Sequence, residues 1–368
     1  MEIDNTQFFV IGADHHNTLG VVRSLGDKGI LSNLIICGAD KSFVAKSKFA
    51  KSLYILPSTY GLTTLLQKLA KDVEGKGVII SCTDAVSQEI DSHREQLDHK
   101  YFVPGVKNGN NGIVFFENKE NQRIWAEKNG LLTPKSYILA ANNNLDCVKF
   151  PCIVKPLSSV NSTKEEIKIC NDTKQLKIAL SQSNHFYQVQ EFIKKSQEFQ
   201  LIGVKLGDDV IIPGYTDIIR QPDNTNTGYL KYIPFNWEIV EKEKIIAFLD
   251  DLGYDGLFSI EFISDKSNIY FMEINMRNDG NAYVVTKAGI NLPYLWCCYC
   301  LNLDMNNEPK SFNKAIYFMP ELSDVKNIGK KVGLLKWLCQ FYQAKARAIW
   351  DLSDPLPFLY YLLYRFGL

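Results

Sequence analysis

The sequence predicts a chain of mixed class: an α/β region first, an α+β region after it, and a helical tail. Three observations carry this reading. The first hundred residues alternate wholly apolar runs with helical stretches. Residues 185–300 contain strands joined by short turns, and beyond residue 305 apolar positions recur at helical spacing among lysines and arginines.

In the first region the order is "FFVIGA", "TLGVVRSLGDKG", "LSNLIICG", "GLTTLLQKLAKDV", "GVIISCTD" and "AVSQEIDSHREQL". Strands this apolar must be covered on both faces, so a parallel sheet flanked by helices is expected over residues 1–105. The turn after the first strand, from Gly12 to Gly20, lacks GxGxxG spacing, so the domain is Rossmann-like in shape only. His15, His16 and Asp84 fall at the carboxyl ends of two of these strands, where open sheets bind ligands; helix capping is the alternative for each.

The stretch "VPGVKNGNNG" breaks the pattern and puts the first boundary near residue 105. The region 106–188 holds a capped helix in "ENKENQRIWAEKNG" and a short buried strand, "FPCIVKPL", carrying a single lysine. The region 189–304 holds "FYQVQEFI", "EFQLIGVKLGDDVIIPGYTDII", "GYDGLFSIEFI" and "NIYFMEINMRN", which read as antiparallel strands. Cys297, Cys298 and Cys300 lie in "LPYLWCCYCLN" among Leu, Trp and Tyr, as expected of a buried helix rather than a metal site. Over 305–368, Val332, Leu335, Leu338, Cys339, Tyr342, Ala346 and Ile349 fall on one helical face. That face is expected to pack on the body; docking of a basic amphipathic helix on a membrane surface is the alternative.

Charge narrows the function classes. The 41 basic and 41 acidic residues of this 368-residue chain cancel, so no global field draws it to nucleic acid. No run reaches the ~20 apolar residues of a membrane span, and the nine cysteines lack paired metal spacing. Reduced thiols and a cytoplasmic location are the expectation.

Chemistry concentrates in "FMEINMRNDGN", residues 271–281. Alternate strand residues share a face, so Glu273, Asn275 and Arg277 project together, with Phe271 expected in the same row. A carboxylate and a carboxamide oxygen suit Mg²⁺, and a guanidinium suits a phosphoryl or carboxylate group beside it. A hairpin across "SDKSN" would bring Glu261 of "FSIEFI" against Glu273, two like charges that call for a cation between them. Lys155 on its apolar strand needs an anionic partner, and Lys119 in "NKENQR" could join it on a polyphosphate. The stretch from Ser158 to Thr163 offers hydroxyls and backbone N–H groups to the same phosphates. Backbone groups of Glu191 and Ile193 could read an adenine edge, with Glu198 downstream for a ribose hydroxyl.

Together "NK" at 118–119, "PCIVKP" at 151–156, "VQEFI" and "EFQ" at 189–200, "SIEF" at 259–262 and "MEINMR" at 272–277 resemble the ATP-grasp superfamily over about residues 105–300. The resemblance implies a pre-ATP-grasp domain over 1–105, the two ATP-grasp subdomains over 106–188 and 189–304, and a helical extension over 305–368. It implies that Lys119 and Lys155 bind the phosphates of ATP, that Glu191, Phe192 and Ile193 form the adenine hinge, and that Glu198 meets the ribose. Glu261, Glu273 and Asn275 would hold Mg²⁺ or Mn²⁺, and Arg277 would touch the transferred phosphoryl group. The loop 158–163 departs from the family in lacking glycines. "RNDGNAYVVTKAGINLPYLW" looks most like the carboxylate-amine ligases grouped with D-aspartate ligase. Biotin carboxylation and carbamoyl phosphate synthesis are the less expected activities, since residues after 300 offer no extended region for a third domain and these 368 residues show no duplicated half. The implied partners are a small-molecule carboxylate and amine and no nucleic acid, with a homodimer compatible. Arg220, Asn278, Asp279 and Asp84 are the candidates for the substrate end; surface exposure for Arg220 and turn chemistry for Asn278 and Asp279 are the alternatives.

Overall fold

The computed structural model describes residues 3–107, 112–157, 167–182, 185–221 and 228–366. The loop expected to act as a lid, 158–163, lies outside the described residues.

Strands β1 (Phe8–Gly12), β2 (Ser32–Cys37), β3 (Ala50–Leu56), β4 (Gly77–Ser81) and β5 (Tyr101–Phe102) form a parallel sheet in the order β3-β2-β1-β4-β5. β1, β2 and β4 are buried at every position, so their largely apolar runs reflect cover on both faces, with Ser32, Asn33 and Ser81 as buried polar exceptions. The strand order reverses between β1 and β4, which makes a crevice at their carboxyl ends. Gly12 closes β1 there, where a Cβ would lie 2.5 Å from Thr18 Oγ1 and 2.7 Å from the Cys82 Cβ, so only glycine permits the approach. His15 does cap the helix His16–Gly26, its Nδ1 accepting from the Asn17 amide at 3.2 Å.

After β6 (Gly105–Val106), strands β7 (Ser136–Leu139), β8 (Cys152–Pro156), β9 (Lys168–Cys170) and β10 (Tyr187–Glu191) make an antiparallel sheet in the order β7-β10-β8-β9. Leu176 and Leu180, from the helix Thr173–Leu180, share its core with Val154 and Val189. The third sheet comprises β11 (Gln197–Leu206), β12 (Asp209–Arg220), β13 (Tyr229–Pro234), β14 (Tyr254–Ser264), β15 (Ile269–Asn275), β16 (Ile316–Met319) and β17 (Ala346–Arg347), with β6 on β14. Its order is β15-β14-β11-β12-β13-β16-β17. The tail is therefore more than helical, since β16 and β17 extend this sheet.

The helix Leu292–Leu301 buries Cys297, Cys298 and Cys300 between the first domain and the third sheet. One apolar core runs from Phe8 and Leu19 through Ile202 and Trp296 to Ile349. The final helix, Leu356–Phe366, returns to the first domain, where the Tyr361 ring meets Phe43 edge-on at 5.1 Å.

The expected apolar face of the tail is corrected by the structure. The helix there covers only Leu334–Gln343 and packs Trp337 and Phe341, half-buried, against Tyr229, Met319 and Ala344. Leu335, Leu338, Cys339 and Tyr342 face solvent. The chain turns extended at Ala344 and enters β17, so Ala346 and Ile349 are buried by strand and loop packing instead of continuing a helical stripe.

Candidate active site

β14 and β15 form the expected hairpin, in a register that sets Glu261 opposite Glu273 and Ser259 opposite Asn275. A bulge between Glu261 and Phe262 adds one residue on β15 and changes the phase of the strand. Phe271 consequently lies in the core with Ile274 and Met276, and the expectation that it extends the Glu273 row is incorrect.

The two carboxylates line a cavity of 320 Å³ between the third sheet and the crevice of the first domain. Asn275, Arg277, Asp279, Glu198, Asp84 and His15 also line it. Lys119 begins the helix Lys119–Lys128, which Asn118 caps by accepting from the Glu120 amide at 2.9 Å. Its ammonium is hydrogen-bonded to the Glu273 carboxylate. Lys155 on β8 donates to Gln190 Oε1 at 2.9 Å.

Electrostatics distinguishes the two glutamates. The Lys119 ammonium holds Glu273 below the usual carboxylate range against the effect of burial. Burial, with the Glu273 charge beside it, pushes Glu261 up. Burial pulls Lys119 down, but its bond to Glu273 outweighs this and leaves it raised. Among the described residues no carboxylate is bonded to Lys155, and burial together with the Lys119 charge pushes it down to about 8.

Glu261 has no hydrogen-bond or ion-pair partner among the described residues, and it faces a second carboxylate across the hairpin. That is an environment a divalent cation would stabilise. Asn275 Oδ1, which accepts from Arg277 Nη2 at 3.2 Å, completes a set of two carboxylates and one carboxamide. Among the described residues no three His, Cys, Asp or Glu side chains converge as a metal cage. Such a sparse oxygen set suits an ion that keeps water and phosphate oxygens as its other ligands, as Mg²⁺ does.

Arg277 reaches across to the first domain, its Nε and Nη2 donating to the Asp84 carboxylate at 2.6 and 3.3 Å. Asp84 thus orients the arginine as well as lining the cavity. Asp279 accepts from Gln200 Nε2 at 2.8 Å, Ser259 Oγ at 3.0 Å and the Asn281 amide at 2.8 Å, so its carboxylate is committed to a buried network. Asn278 is 4% exposed and bonded to Asn17 of the first domain. It joins the domains and does not face the cavity.

Arg220 is likewise corrected. Its guanidinium pairs with the fully buried Asp324 at 2.6 Å, donates to Gln340 at 2.9 Å and stacks on Tyr229, which removes it from the substrate end.

Glu191, Phe192 and Ile193 leave β10 and connect the second sheet to the third. The Glu191 carboxylate accepts from the Lys135 amide at 2.9 Å, and the Phe192 amide donates to Pro151 O at 3.1 Å. This segment borders the domain junction without lining the 320 Å³ cavity. Glu198 lines it, paired with Lys195.

Sequence reasoning missed Glu117, whose carboxyl is pushed up to about 8 by burial and by Asp84. It also missed Gln200 and Thr216, which line the cavity from β11 and β12. Gln200 closes the quoted "EFQ" element without a role assigned to it there, and no motif marks Glu117 or Thr216, which tertiary packing brings to the site.

No family model matches the chain. Among curated proteins it is similar to the carbamoyl phosphate synthase large chain of Clostridium botulinum (strain Loch Maree / Type A3), 23% identical over 270 residues, which are 70% of this chain and 23% of that one. The large chain of the Langeland strain matches at 24% over 239 residues, 61% of this chain and 22% of that one. The chain thus spans less than a quarter of the length of these relatives.

Solved structures match over more of the chain. N5-carboxyaminoimidazole synthase from Aspergillus clavatus, bound to ADP and its ribonucleotide, gives a TM-score of 0.65 at 15% identity, over 85% of this chain and 81% of that one. The biotin carboxylase domain dimer of Hydrogenobacter thermophilus 2-oxoglutarate carboxylase, with MgADP and bicarbonate, gives 0.65 at 14%, over 85% and 73%. L-amino acid ligase from Bacillus licheniformis gives 0.60 at 15%, over 80% and 73%. With this three-sheet arrangement and the opposed glutamates on its last hairpin, the chain has the ATP-grasp fold.

Proposed function

We propose that the chain is an ATP-dependent ligase that joins a carboxylate to an amine through an acyl phosphate. The observation that supports this most is the register of β14 and β15, which opposes Glu261 and Glu273 beside Asn275 and Arg277 in one cavity.

In this reading a carboxylate oxygen of the substrate attacks the γ-phosphorus of ATP, the bond to the β-phosphate oxygen breaks, and ADP leaves. An amine then attacks the acyl carbon, phosphate departs with the former carboxylate oxygen, and the nitrogen loses a proton to give the amide. Glu261, Glu273 and Asn275 would hold Mg²⁺ or Mn²⁺, which when bound neutralises phosphate charge. Lys119 and Lys155 supply cations to the phosphates. Arg277, fixed by Asp84, stabilises charge on the transferred group. Glu191 to Ile193 are proposed for the adenine and Glu198 for the ribose.

The acid proposed first is an amino acid, in keeping with the D-aspartate ligase-like motifs, and the amine proposed is a cell-wall or polysaccharide precursor. Bicarbonate is the second reading, favoured by the biotin carboxylase domain among the structural neighbours. Release of ADP from Mg-ATP is to be measured against D- and L-amino acids and bicarbonate, with hydroxylamine as the amine. Hydroxamate formed from one amino acid supports the ligase. ADP release with bicarbonate alone supports the carboxylase, and no release with any acid contradicts both.

Protonation of Lys155 gives a separate expectation. The ammonium that would meet phosphate is present below about 8 and lost above it. Affinity for Mg-ATP is therefore expected to fall as pH rises through 8, by about tenfold for one charged hydrogen bond. Lys155→Met should bind more weakly at pH 7 and lose this dependence; calorimetric titration at pH 7 and 9 checks both.

A further inference from the structure

The helix Leu334–Gln343 has apolar residues on two adjoining sides, and the fold uses only one. Trp337 and Phe341 stack at 5.5 Å and face the core. At ~100° per residue, Leu335, Leu338 and Tyr342 share the next side. They are 79%, 39% and 79% exposed, and Leu334 at the border is 56% exposed. Single exposed leucines are ordinary, but a contiguous stripe of this kind marks an interaction surface.

The segment that carries the stripe is basic in sequence, and the nearest carboxylate it touches, Asp324, is buried and paired with Arg220. From residue 325 to 350 the sequence has six basic residues, Lys326, Lys330, Lys331, Lys336, Lys345 and Arg347, and no acidic one. In a chain whose charges balance at 41 to 41, this is a local excess. Lys326, Lys330, Lys336 and Lys345 are exposed. The final helix adds a second exposed row, Leu356, Leu359 and Leu363, spaced to share one side.

We propose that the tail docks on an anionic lipid surface, with Leu335, Leu338 and Tyr342 entering the headgroup boundary and the flanking lysines over acidic headgroups. The Leu334–Gln343 helix is about 15 Å long, too short to cross a bilayer, and no helix among the described residues is long and apolar enough to do so. It would lie in the interface, where apolar burial and attraction to anionic headgroups add. A second copy of the chain is a poorer occupant, because it would bring the same cations against these. The inference does not depend on the ligase reading.

The test is flotation of the full chain with phosphatidylcholine vesicles, with and without phosphatidylglycerol, at low salt. The protein is expected to float with the mixed vesicles, to stay down with phosphatidylcholine alone, and to be released by high salt. Leu335→Glu with Tyr342→Glu should lower binding by on the order of tenfold or more without changing the melting temperature, since both side chains are exposed. Failure to float with phosphatidylglycerol vesicles, or flotation of the double variant like the parent, would overturn the proposal. So would a dimer in sedimentation equilibrium that the double variant dissociates, because the face would then belong to a second copy.

Discussion

Replacing Glu273 with alanine is expected to lower Mg-ATP turnover by on the order of 10³-fold while leaving the fold intact. Glu273 lies opposite Glu261 on the β14–β15 hairpin, and its carboxylate is the group to which the Lys119 ammonium bonds. Without it the cation site keeps one carboxylate and one carboxamide, and Lys119 loses its anchor. The backbone ladder between the strands does not involve the side chain, so the hairpin itself should persist. Steady-state ADP release and a thermal melt on the same preparation check both parts. Turnover within a few-fold of the parent would remove Glu273 from the metal set, and an unfolded variant would assign it to stability instead.

The second large effect concerns how the tail is held. Arg23 and Asp354 form an ion pair at 3.0 Å with side chains 1% and 2% exposed. Asp354 also accepts from Ser47 Oγ at 2.8 Å and the Lys48 amide at 3.0 Å, and Arg23 donates further to Asp354 O at 2.8 Å. Asp354→Ala leaves a buried guanidinium without its counter-charge and two donors without an acceptor, so unfolding should become easier by about 3–5 kcal/mol. Urea denaturation gives the value. A loss below about 1 kcal/mol would mean that the segment before the final helix is not fastened to the first domain in this way. The proposed ligase activity, read per folded molecule, should be unaffected, because neither residue lines the cavity.

Much of the architecture is legible in sequence for physical reasons. β1, β2 and β4 read as parallel strands because burial on both faces selects largely apolar runs. The hairpin across Asp265–Asn268 is readable from its turn residues, but that turn alone would set Glu261 opposite Met272, and only the bulge brings it opposite Glu273. What escapes is set by details that pattern does not encode. One extra residue at the bulge turns Phe271 into the core while leaving Glu273 on the site face. Arg220 looks available until Asp324, 104 residues away, occupies it. The tail was expected to bury the longer apolar row, yet two aromatics at Trp337 and Phe341 outcompete Leu335 and Leu338, since larger rings remove more apolar surface from water. Glu117 enters the site only through packing of its neighbours against α/β crevice residues such as Asp84.

The most direct test of the ligase reading follows oxygen. With the acid substrate found in the hydroxamate screen labelled with ¹⁸O in its carboxylate, the reaction is run to amide with unlabelled ATP and water. Passage through an acyl phosphate transfers one labelled oxygen to the released phosphate for each amide formed, and mass spectrometry of the phosphate should show that label. Amide that keeps one labelled oxygen while the released phosphate carries none would mean that the other oxygen left without phosphoryl transfer, and would contradict the proposal that this cavity activates a carboxylate.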